Sequence, residues 1–195
     1  APDKKIKISY GASLGKIPFS KRDEELLIEY AKQMNAISVR ESSAKDYLAS
    51  IGLQSELVLD PTLLAEQSDF DDIIVPIRQK KPYVLVYELQ HVEQTYSIAL
   101  DMAKQLDADV VVIGGHFRGY FIKGIKNKQN LSPEQFVSYF RSAACVITTS
   151  FHGTAFSLQF ERPFYFVKMN SYKDDRIKSL LVSFSLQERM IDAPV

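Results

Sequence analysis

The segment with the clearest pattern of helices and strands is residues 130–166, NLSPEQFVSYFRSAACVITTSFHGTAFSLQFERPFYF. Ser132, Pro133 and Gln135 form the pattern of a capped helix start, in which serine caps, proline takes the first helical position and glutamine closes a capping box. The apolar run at residues 144–147 follows as a buried strand. A short polar loop then leads into a second helix. This order predicts a helix–strand–loop–helix–strand segment of a parallel sheet.

The same alternation extends upstream of this stretch. Residues 83–87 and 109–113 are apolar runs typical of strands that are buried on both faces. The helix predicted between them, over residues 92–106, has apolar side chains at helical spacing: Ile98, Met102 and Leu106. Residues 117–129 follow no regular pattern and are predicted to be irregular. Short crossovers of this kind are right-handed, so we expect a Rossmann-like parallel sheet with helices on both faces.

The first third of the chain also alternates between strands and helices. We predict strands at residues 5–10, 36–40 and 56–59, a helix capped by Ser20 and another capped by Ser42 or Ser43. The predicted buried face of the first helix is Leu26, Leu27, Tyr30, Ala31 and Met34. The predicted domains are therefore 1–65, part of an N-terminal α/β half; 66–82, a polar linker; and 83–195, a Rossmann-like C-terminal half.

Composition excludes several classes of function. Lysines plus arginines number 24, as do aspartates plus glutamates, so no overall field attracts nucleic acid, and we expect no nucleic-acid partner. The single cysteine, Cys145, excludes an internal disulfide and favours a reducing compartment. No apolar run approaches the roughly 20 residues of a membrane span, and no signal-peptide pattern is present. We therefore expect a cytoplasmic protein.

The polar loop after the strand at residues 144–147 is the first candidate site. Thr149, Ser150, His152, Gly153 and Thr154 lie at the carboxyl end of a strand and the amino end of a helix, where open α/β sheets bind ligands. Backbone N–H groups and hydroxyls can bind an anion there, and an imidazole can hold a charge or move a proton. In a purely structural alternative, Thr149 or Ser150 only caps the helix and His152 is a half-buried histidine.

Arg40 is the second candidate, because it ends a predicted strand and a guanidinium can bind a carboxylate or phosphate bidentately. The alternative is a surface ion pair with Glu41, which would contribute little. A metal site is not expected. The three histidines, His91, His116 and His152, show no metal-ligand spacing, and Cys145 has no cysteine partner.

Several motifs together resemble the polysaccharide pyruvyl transferase family. They are SPEQF (132–136), AACVITTSFHGTAFS (143–157), RPF (162–164), ISYGASLG (8–15), ISVRE (37–41) and LDPT (59–62). The similarity touches nearly the whole chain, and the run from Ser150 to Ser157 in its strand–helix context is its most specific part.

The resemblance implies an enzyme that transfers a pyruvyl group from phosphoenolpyruvate to two hydroxyls of a sugar in a cell-surface polysaccharide or its precursor, forming a ketal and releasing phosphate. It implies half of a two-Rossmann, GT-B-like architecture plus part of the other half, with an active site in the cleft between halves. By position, His152 becomes the catalytic acid. Arg40, Thr149, Ser150, Gly153 and Thr154 become donor-binding residues.

The implied partners are phosphoenolpyruvate, as donor substrate rather than cofactor, and a saccharide or lipid-linked saccharide acceptor. No cofactor is expected, and a peripheral association with the membrane is left open. The chain departs from the family pattern at Ser150, where many relatives have arginine. The family's N-terminal region and final segment are also missing. We therefore expect the 195-residue chain alone to have little or no transferase activity.

Two other functions remain open at this point. The first is a glycosyltransferase that uses a nucleotide-sugar donor on the same fold. The second is a non-catalytic module of an envelope-polysaccharide assembly complex, which the balanced charge of the chain also allows.

Overall fold

A computed structural model of the protein describes residues 5–90, 92, 94–114 and 122–192. In chain order the strands and helices are β1 (Ile8–Ala12), α1 (Lys21–Ala31), β2 (Ala36–Val39), α2 (Ser42–Ser50), β3 (Glu56–Leu57), β4 (Tyr83–Tyr87), α3 (Gln94–Gln105), β5 (Asp109–Ile113), β6 (Ile125–Lys128), α4 (Pro133–Arg141), β7 (Cys145–Thr148), α5 (Phe151–Gln159), β8 (Phe164–Val167), α6 (Asp174–Ser183) and β9 (Met190–Ile191). Short 3₁₀ helices lie at Pro61–Leu64, Gln67–Ile73 and Gln187–Arg189.

The chain divides into two compact units. Unit 1 comprises Ala1–Leu64 and Asn170–Ser185, and unit 2 comprises Ala65–Met169 and Leu186–Val195. The predicted division kept residues 83–195 together, whereas in the structure Asn170–Ser185 packs in unit 1. The reason is tertiary: α6 packs on α2, where the Ser179 hydroxyl accepts a hydrogen bond from the backbone N–H of Ser42 at 3.1 Å.

Unit 2 contains a six-stranded parallel sheet in the order β6-β5-β4-β7-β8-β9. The helix α3 covers one face, where Val84, Val86 and Ile147 pack with Tyr96 and Ala99. On the other face the ring of Tyr83 contacts Tyr139 of α4 edge to face, and α5 packs on β7 and β8. The predicted Rossmann-like sheet with helices on both faces is therefore confirmed for this unit.

Unit 1 contains a three-stranded parallel sheet in the order β1-β2-β3. Val39 packs on one face of it with Ala31 of α1 and Leu48 of α2. The predicted buried face of α1 is wrong in part: Leu26, Tyr30 and Met34 are exposed. The three strands that the described residues form cover a narrow stripe of the helix around Ala31 and the half-buried Leu27.

The sequence pattern missed the edge strand β6. β6 lies within residues 117–129, which were predicted to be irregular, and it pairs in parallel with β5 from Val110–Ile125 to Ile113–Lys128. Its sequence, Ile-Lys-Asn-Lys, is polar because an edge strand gains its structure from hydrogen bonds to one neighbour and needs little burial. Leu106, which was predicted to lie on one side of α3 with Ile98 and Met102, is exposed just beyond the end of that helix.

Helix starts agree with the sequence where the cap is local. Ser20 accepts a hydrogen bond from the backbone N–H of Asp23, and Ser132 and Gln135 form a capping box at α4. At α2 the prediction is wrong. The capping residue is Glu41, whose side chain makes no capping bond, because its carboxylate bonds elsewhere in unit 1.

The predicted linker at residues 66–82 contains regular structure. Its 3₁₀ helix Gln67–Ile73 packs in unit 2, where Phe70 contacts the ring of Phe160 at 5.2 Å between centroids. Asp71 forms an ion pair with Arg141 of α4 at 2.5 Å. Within the described part of the chain, no helix is both long and apolar enough to span a bilayer.

Candidate functional site

The polar loop lies at the topological switch point of the unit 2 sheet. The chain leaves β4 toward β5 and β6 on one side and returns to β7 on the other side of β4. In open parallel sheets the crevice at the carboxyl ends of two such strands binds ligands, because their connections diverge there. β4 ends at Tyr87 and β7 ends at Thr148. The loop that follows Thr148 is therefore placed where this fold binds its substrates.

Hydrogen bonds hold the loop against the end of β4. The hydroxyl of Thr148 donates to the carbonyl of Tyr87 at 2.5 Å, and the hydroxyl of Thr149 donates to the carbonyl of Gln90 at 3.1 Å. The backbone N–H of Ser150 donates to the Thr148 hydroxyl at 3.0 Å. Bonds to main-chain carbonyls on a neighbouring segment restrict the loop to one conformation.

The amino end of α5 uses the other hydroxyls of the loop. Ser150 caps the helix, and its Oγ accepts from the backbone N–H of Gly153 at 3.3 Å. The hydroxyl of Thr154 donates to the carbonyl of Ser150 at 3.3 Å. Thr149, Ser150 and Thr154 are all buried. The structure thus assigns these residues a structural role, and their contact with a donor stays a prediction.

Gly153 is required by packing inside the protein. A Cβ atom at this position would lie 2.2 Å from Oγ1 of Thr148 and 3.1 Å from a ring carbon of Tyr87. The 2.2 Å separation is sterically forbidden and the 3.1 Å separation is tight, so only glycine lets the first turn of α5 approach the end of β7 without a shift of its neighbours. Close approach of helix to strand is therefore the reason for glycine that the structure shows at this position.

His152 differs from the rest of the loop because it is exposed. Within α5 its neighbours Phe151 and Gly153 are buried, and every other residue of the helix is buried or half-buried. Its ring stands edge-on to the ring of Phe151, with 5.5 Å between centroids. It lies in the first turn, at the positive end of the helix dipole, where negative charge is stabilised. The other two histidines, His91 and His116, lie outside the described residues.

Tyr87 is a part of this edge that the sequence did not reveal. Its ring fits between Gly153 and Gly114, where a Cβ would lie 2.9 Å from the ring, and it contacts Phe136 edge to face at 5.1 Å. Burial raises the pKa of Tyr87, while a hydrogen bond with the side chain of Ser150 lowers it; the net pKa is raised. The phenol therefore stays neutral at physiological pH. The only feature of the sequence that could have indicated this role of Tyr87 is a tyrosine at the end of a buried strand.

Glu88, the next residue, was also missed. Its side chain is fully buried and accepts a hydrogen bond from the phenol of Tyr96 in α3. Burial and this carboxylate together raise the pKa of Tyr96. The pair ties α3 to the end of β4, on the face opposite to the ring of Tyr87.

In unit 1, Arg40 lies in a cluster of charged side chains at the carboxyl edge of the sheet. The guanidinium forms an ion pair with Asp60, and its Nε is 3.9 Å from the carboxylate of Glu41. Glu41 accepts from the Ser13 hydroxyl at 2.8 Å and from the backbone N–H of Leu14 at 3.0 Å. Both carboxylates are buried, so the pair with Glu41 exists but does not lie at the surface, and the shorter ion pair of Arg40 is with Asp60.

Asp60 is ionised in this setting. Burial raises the pKa of Asp60, but hydrogen bonds from Thr62 and from the Arg40 guanidinium outweigh it, so the pKa lies below its ordinary value. One of these bonds is donated by the backbone N–H of Thr62, at 2.9 Å. Arg40 lies in unit 1 and His152 in unit 2, and the donor-binding role of Arg40 stays a prediction.

Comparison with known proteins begins with the sequence. A family model described as polysaccharide pyruvyl transferase matches residues 1–171. No curated protein matches the chain.

Comparison with solved structures adds the fold. The UDP-GlcNAc 2-epimerase of Neisseria meningitidis, solved with bound UDP-GlcNAc, matches with a TM-score of 0.53 at 10% identity, over 92% of this chain and 59% of that chain. The UDP-N-acetylglucosamine 2-epimerase of Rickettsia bellii matches with a TM-score of 0.48 at 15% identity, over 89% and 57%. The heptosyltransferase WaaC of E. coli matches with a TM-score of 0.44 at 9% identity, over 85% and 70%.

The chain thus spans less than two thirds of the length of either epimerase. Its fold is α/β with parallel sheets flanked by helices, as in the Neisseria meningitidis epimerase. The predicted fold class is confirmed.

Proposed function

The chain belongs to the polysaccharide pyruvyl transferase family, and we propose that the intact protein transfers a pyruvyl group from phosphoenolpyruvate to a sugar of a cell-surface polysaccharide or its precursor. In this reaction the methylene carbon of the donor gains a proton and becomes a methyl group. Two sugar hydroxyls bond to the adjacent carbon, and phosphate leaves. Of the two hydroxyl protons, one balances the new methyl group and the other leaves with phosphate.

The observation that carries the proposal is the exposure of His152 at the amino end of α5. The reaction needs a group that supplies a proton to carbon or to the departing phosphate, and imidazole is the side chain that exchanges a proton near neutral pH. His152 reaches solvent at the switch point of the sheet, while the hydroxyls around it are buried. The helix dipole behind it favours a bound anion such as the donor's phosphate or carboxylate.

The buried residues of the loop support His152 in this proposal. Thr149 and Ser150 tie the loop to β4 and cap α5, and Thr154 bonds back to Ser150. Gly153 lets the helix begin against Thr148. Together they fix the backbone that presents the imidazole, which matters because a catalytic group contributes most when its geometry is set before the substrate binds.

The test is phosphate release by the intact protein from phosphoenolpyruvate in the presence of candidate saccharide acceptors. We expect His152→Gln, which keeps a polar side chain of similar size but has no titrating nitrogen, to lower kcat at least about 100-fold. Lys104→Ala is the matched control, because Lys104 is exposed in the last turn of α3, at the opposite edge of the same sheet. It should leave kcat unchanged.

Full activity of the His152→Gln variant would overturn the assigned role of the histidine. Thermal stabilisation by a nucleoside diphosphate, with none by phosphoenolpyruvate, would overturn the proposed donor in favour of a nucleotide sugar.

A further inference from the structure

The three strands of unit 1 end in one cluster of side chains. β1 leads into Ser13, β2 leads into Arg40 and Glu41, and Asp60 follows β3 after two residues. Backbone bonds hold these ends together: the N–H of Arg40 donates to the carbonyl of Ala12 at 3.1 Å. We call Ser13, Arg40, Glu41, Asp60 and Thr62 the Arg40 cluster.

The cluster holds two carboxylates for one guanidinium. The side chains of Glu41 and Asp60 each keep 3% of their accessible surface, and that of Arg40 keeps 16%. Burying a carboxylate is costly unless donors satisfy it. Oε1 of Glu41 has such donors in Ser13 and Leu14, whereas its Oε2 is buried without a hydrogen bond from the described residues and lies 3.9 Å from Nε of Arg40. Asp60 has the N–H of Thr62 on one oxygen and Arg40 on the other. The guanidinium is thus in direct contact with Asp60, whereas the Glu41 oxygen is 3.9 Å away.

From this geometry we propose that Asp60 is a positioning residue, which fixes the guanidinium of Arg40 in the orientation that binds the anionic donor. The inference rests on the function proposed above. An arginine side chain has many rotamers, and their entropy is lost when the side chain is held in one orientation. A buried carboxylate that holds the planar group before the ligand arrives removes most of that cost from binding.

The charge of Asp60 and its positioning of Arg40 predict opposite changes in donor affinity when Asp60 is neutralised, so the direction of the change tests the inference. Asp60 carries a negative charge next to the group that would bind an anion. If charge alone mattered, neutralising Asp60 would strengthen donor binding, because the attraction of Arg40 would be less cancelled. If Asp60 positions Arg40, neutralising it weakens binding, because the amide of asparagine cannot hold the guanidinium in the same way.

The experiment measures KM for phosphoenolpyruvate and kcat of the intact protein. We expect Asp60→Asn to raise KM about tenfold or more while kcat changes less than threefold. Glu41→Gln is the matched comparison, since it removes the same charge from the same cluster without breaking the direct contact with Arg40. We expect it to change KM far less than Asp60→Asn does. In an Arg40→Ala background, Asp60→Asn should have no further effect on KM, because contacting residues that act through one another are not additive.

An unchanged or lower KM in Asp60→Asn would overturn the inference, as would an equal increase in Glu41→Gln or a full effect of Asp60→Asn without Arg40. Asp60→Glu is the second variant in case Asp60→Asn does not fold. It keeps the charge but moves the carboxylate by one methylene, so positioning predicts a raised KM and charge alone predicts none.

A readout independent of turnover separates this inference from the proposed function. The Nη1–H signals of Arg40, the group that donates to Asp60, should exchange slowly with solvent in ¹⁵N-edited NMR spectra of the wild type and rapidly in Asp60→Asn; they are assigned by their loss in Arg40→Lys. If the wild type does not react with phosphoenolpyruvate, the proposed function fails and this exchange rate still decides whether Asp60 holds Arg40. Equal exchange rates would overturn the positioning role.

Discussion

At the carboxyl edge of unit 2, neutral hydroxyls and backbone groups hold the loop, and one exposed imidazole faces solvent. At the carboxyl edge of unit 1, an ion pair and a second buried carboxylate hold one guanidinium. The sheets that carry these two sites also differ in how deeply their strands are buried. Every residue of β7 is buried, whereas both residues of β3 and the Ile8 and Tyr10 side chains of β1 are exposed.

The two units thus hold the side chain at the end of a strand in different ways. A wide sheet with a covered apolar core can place a helix against a strand by close packing, so its site depends on volume. A three-stranded sheet with little buried surface uses charge, so its site depends on ionisation. Unit 2 should therefore respond most strongly to added atoms, and unit 1 to pH.

The largest expected effect is in unit 2. We expect Gly153→Ala to lower the free energy of unfolding by about 3 kcal/mol, because its Cβ would overlap Oγ1 of Thr148. The matched control is Gly52→Ala in unit 1. Gly52 has a φ of +79°, and a Cβ added there would have nothing within 4 Å, so the cost is backbone strain alone, roughly 1 kcal/mol. Denaturant unfolding of both variants measures the difference. Equal losses would contradict the role of packing at Gly153.

The second effect separates the units by pH. Because the pKa of Asp60 is lowered in the folded state, its contribution to stability is present above the unfolded pKa of about 3.9 and is lost as pH falls through the folded pKa. We expect Asp60→Asn to cost about 2 kcal/mol at neutral pH. The unfolding curves of variant and wild type should converge as pH falls below about 4. A difference that does not change with pH would show that Asp60 acts without its charge.

The smallest effect concerns a helix cap that lies far away in sequence. Ser179 of α6 supplies the cap that α2 lacks locally, and its hydroxyl also lies 2.9 Å from the hydroxyl of Ser42. We expect Ser179→Ala to cost about 1 kcal/mol and to speed amide hydrogen exchange in Ser42–Ser50. Ser183→Ala is the control, because Ser183 lies on the same helix and its hydroxyl donates to the carbonyl of Ser179 rather than to α2. The same exchange rates in both variants would show that the cap contributes nothing.

The sequence predicted the elements whose signals are local. The capping box at Ser132 and the apolar runs of β4, β5 and β7 match the structure, since caps and continuous apolar strands are determined by neighbouring residues. The polar edge strand β6 and the exposed side of α1 were missed. In both cases the outcome depends on how many neighbours the sheet provides, and local pattern carries no information about that.

The features of the candidate site also divide into those that the sequence predicted and those that it did not. The sequence predicted the position of His152 at a strand–helix junction. In a parallel α/β sheet, the loop between a strand and the following helix lies at the carboxyl end of the strand. The packing role of Gly153, the wedge of Tyr87 and the buried carboxylate of Glu88 were not readable. They depend on contacts between β4, β5, β7 and α3, which are far apart in the sequence.

The sequence by itself determined the α/β class, the family and the placement of His152 and Arg40 at strand ends, because periodicity, caps and motifs are properties of short segments. The tertiary structure alone shows that the hydroxyls of the loop face inward and that, of the ion pairs of Arg40 with Asp60 and Glu41, the one with Asp60 is the shorter. It also decided that Ser179 caps α2. The pairs Arg40–Asp60 and Ser42–Ser179 are 20 and 137 positions apart, and such pairs are chosen by packing and by the need to satisfy buried polar groups.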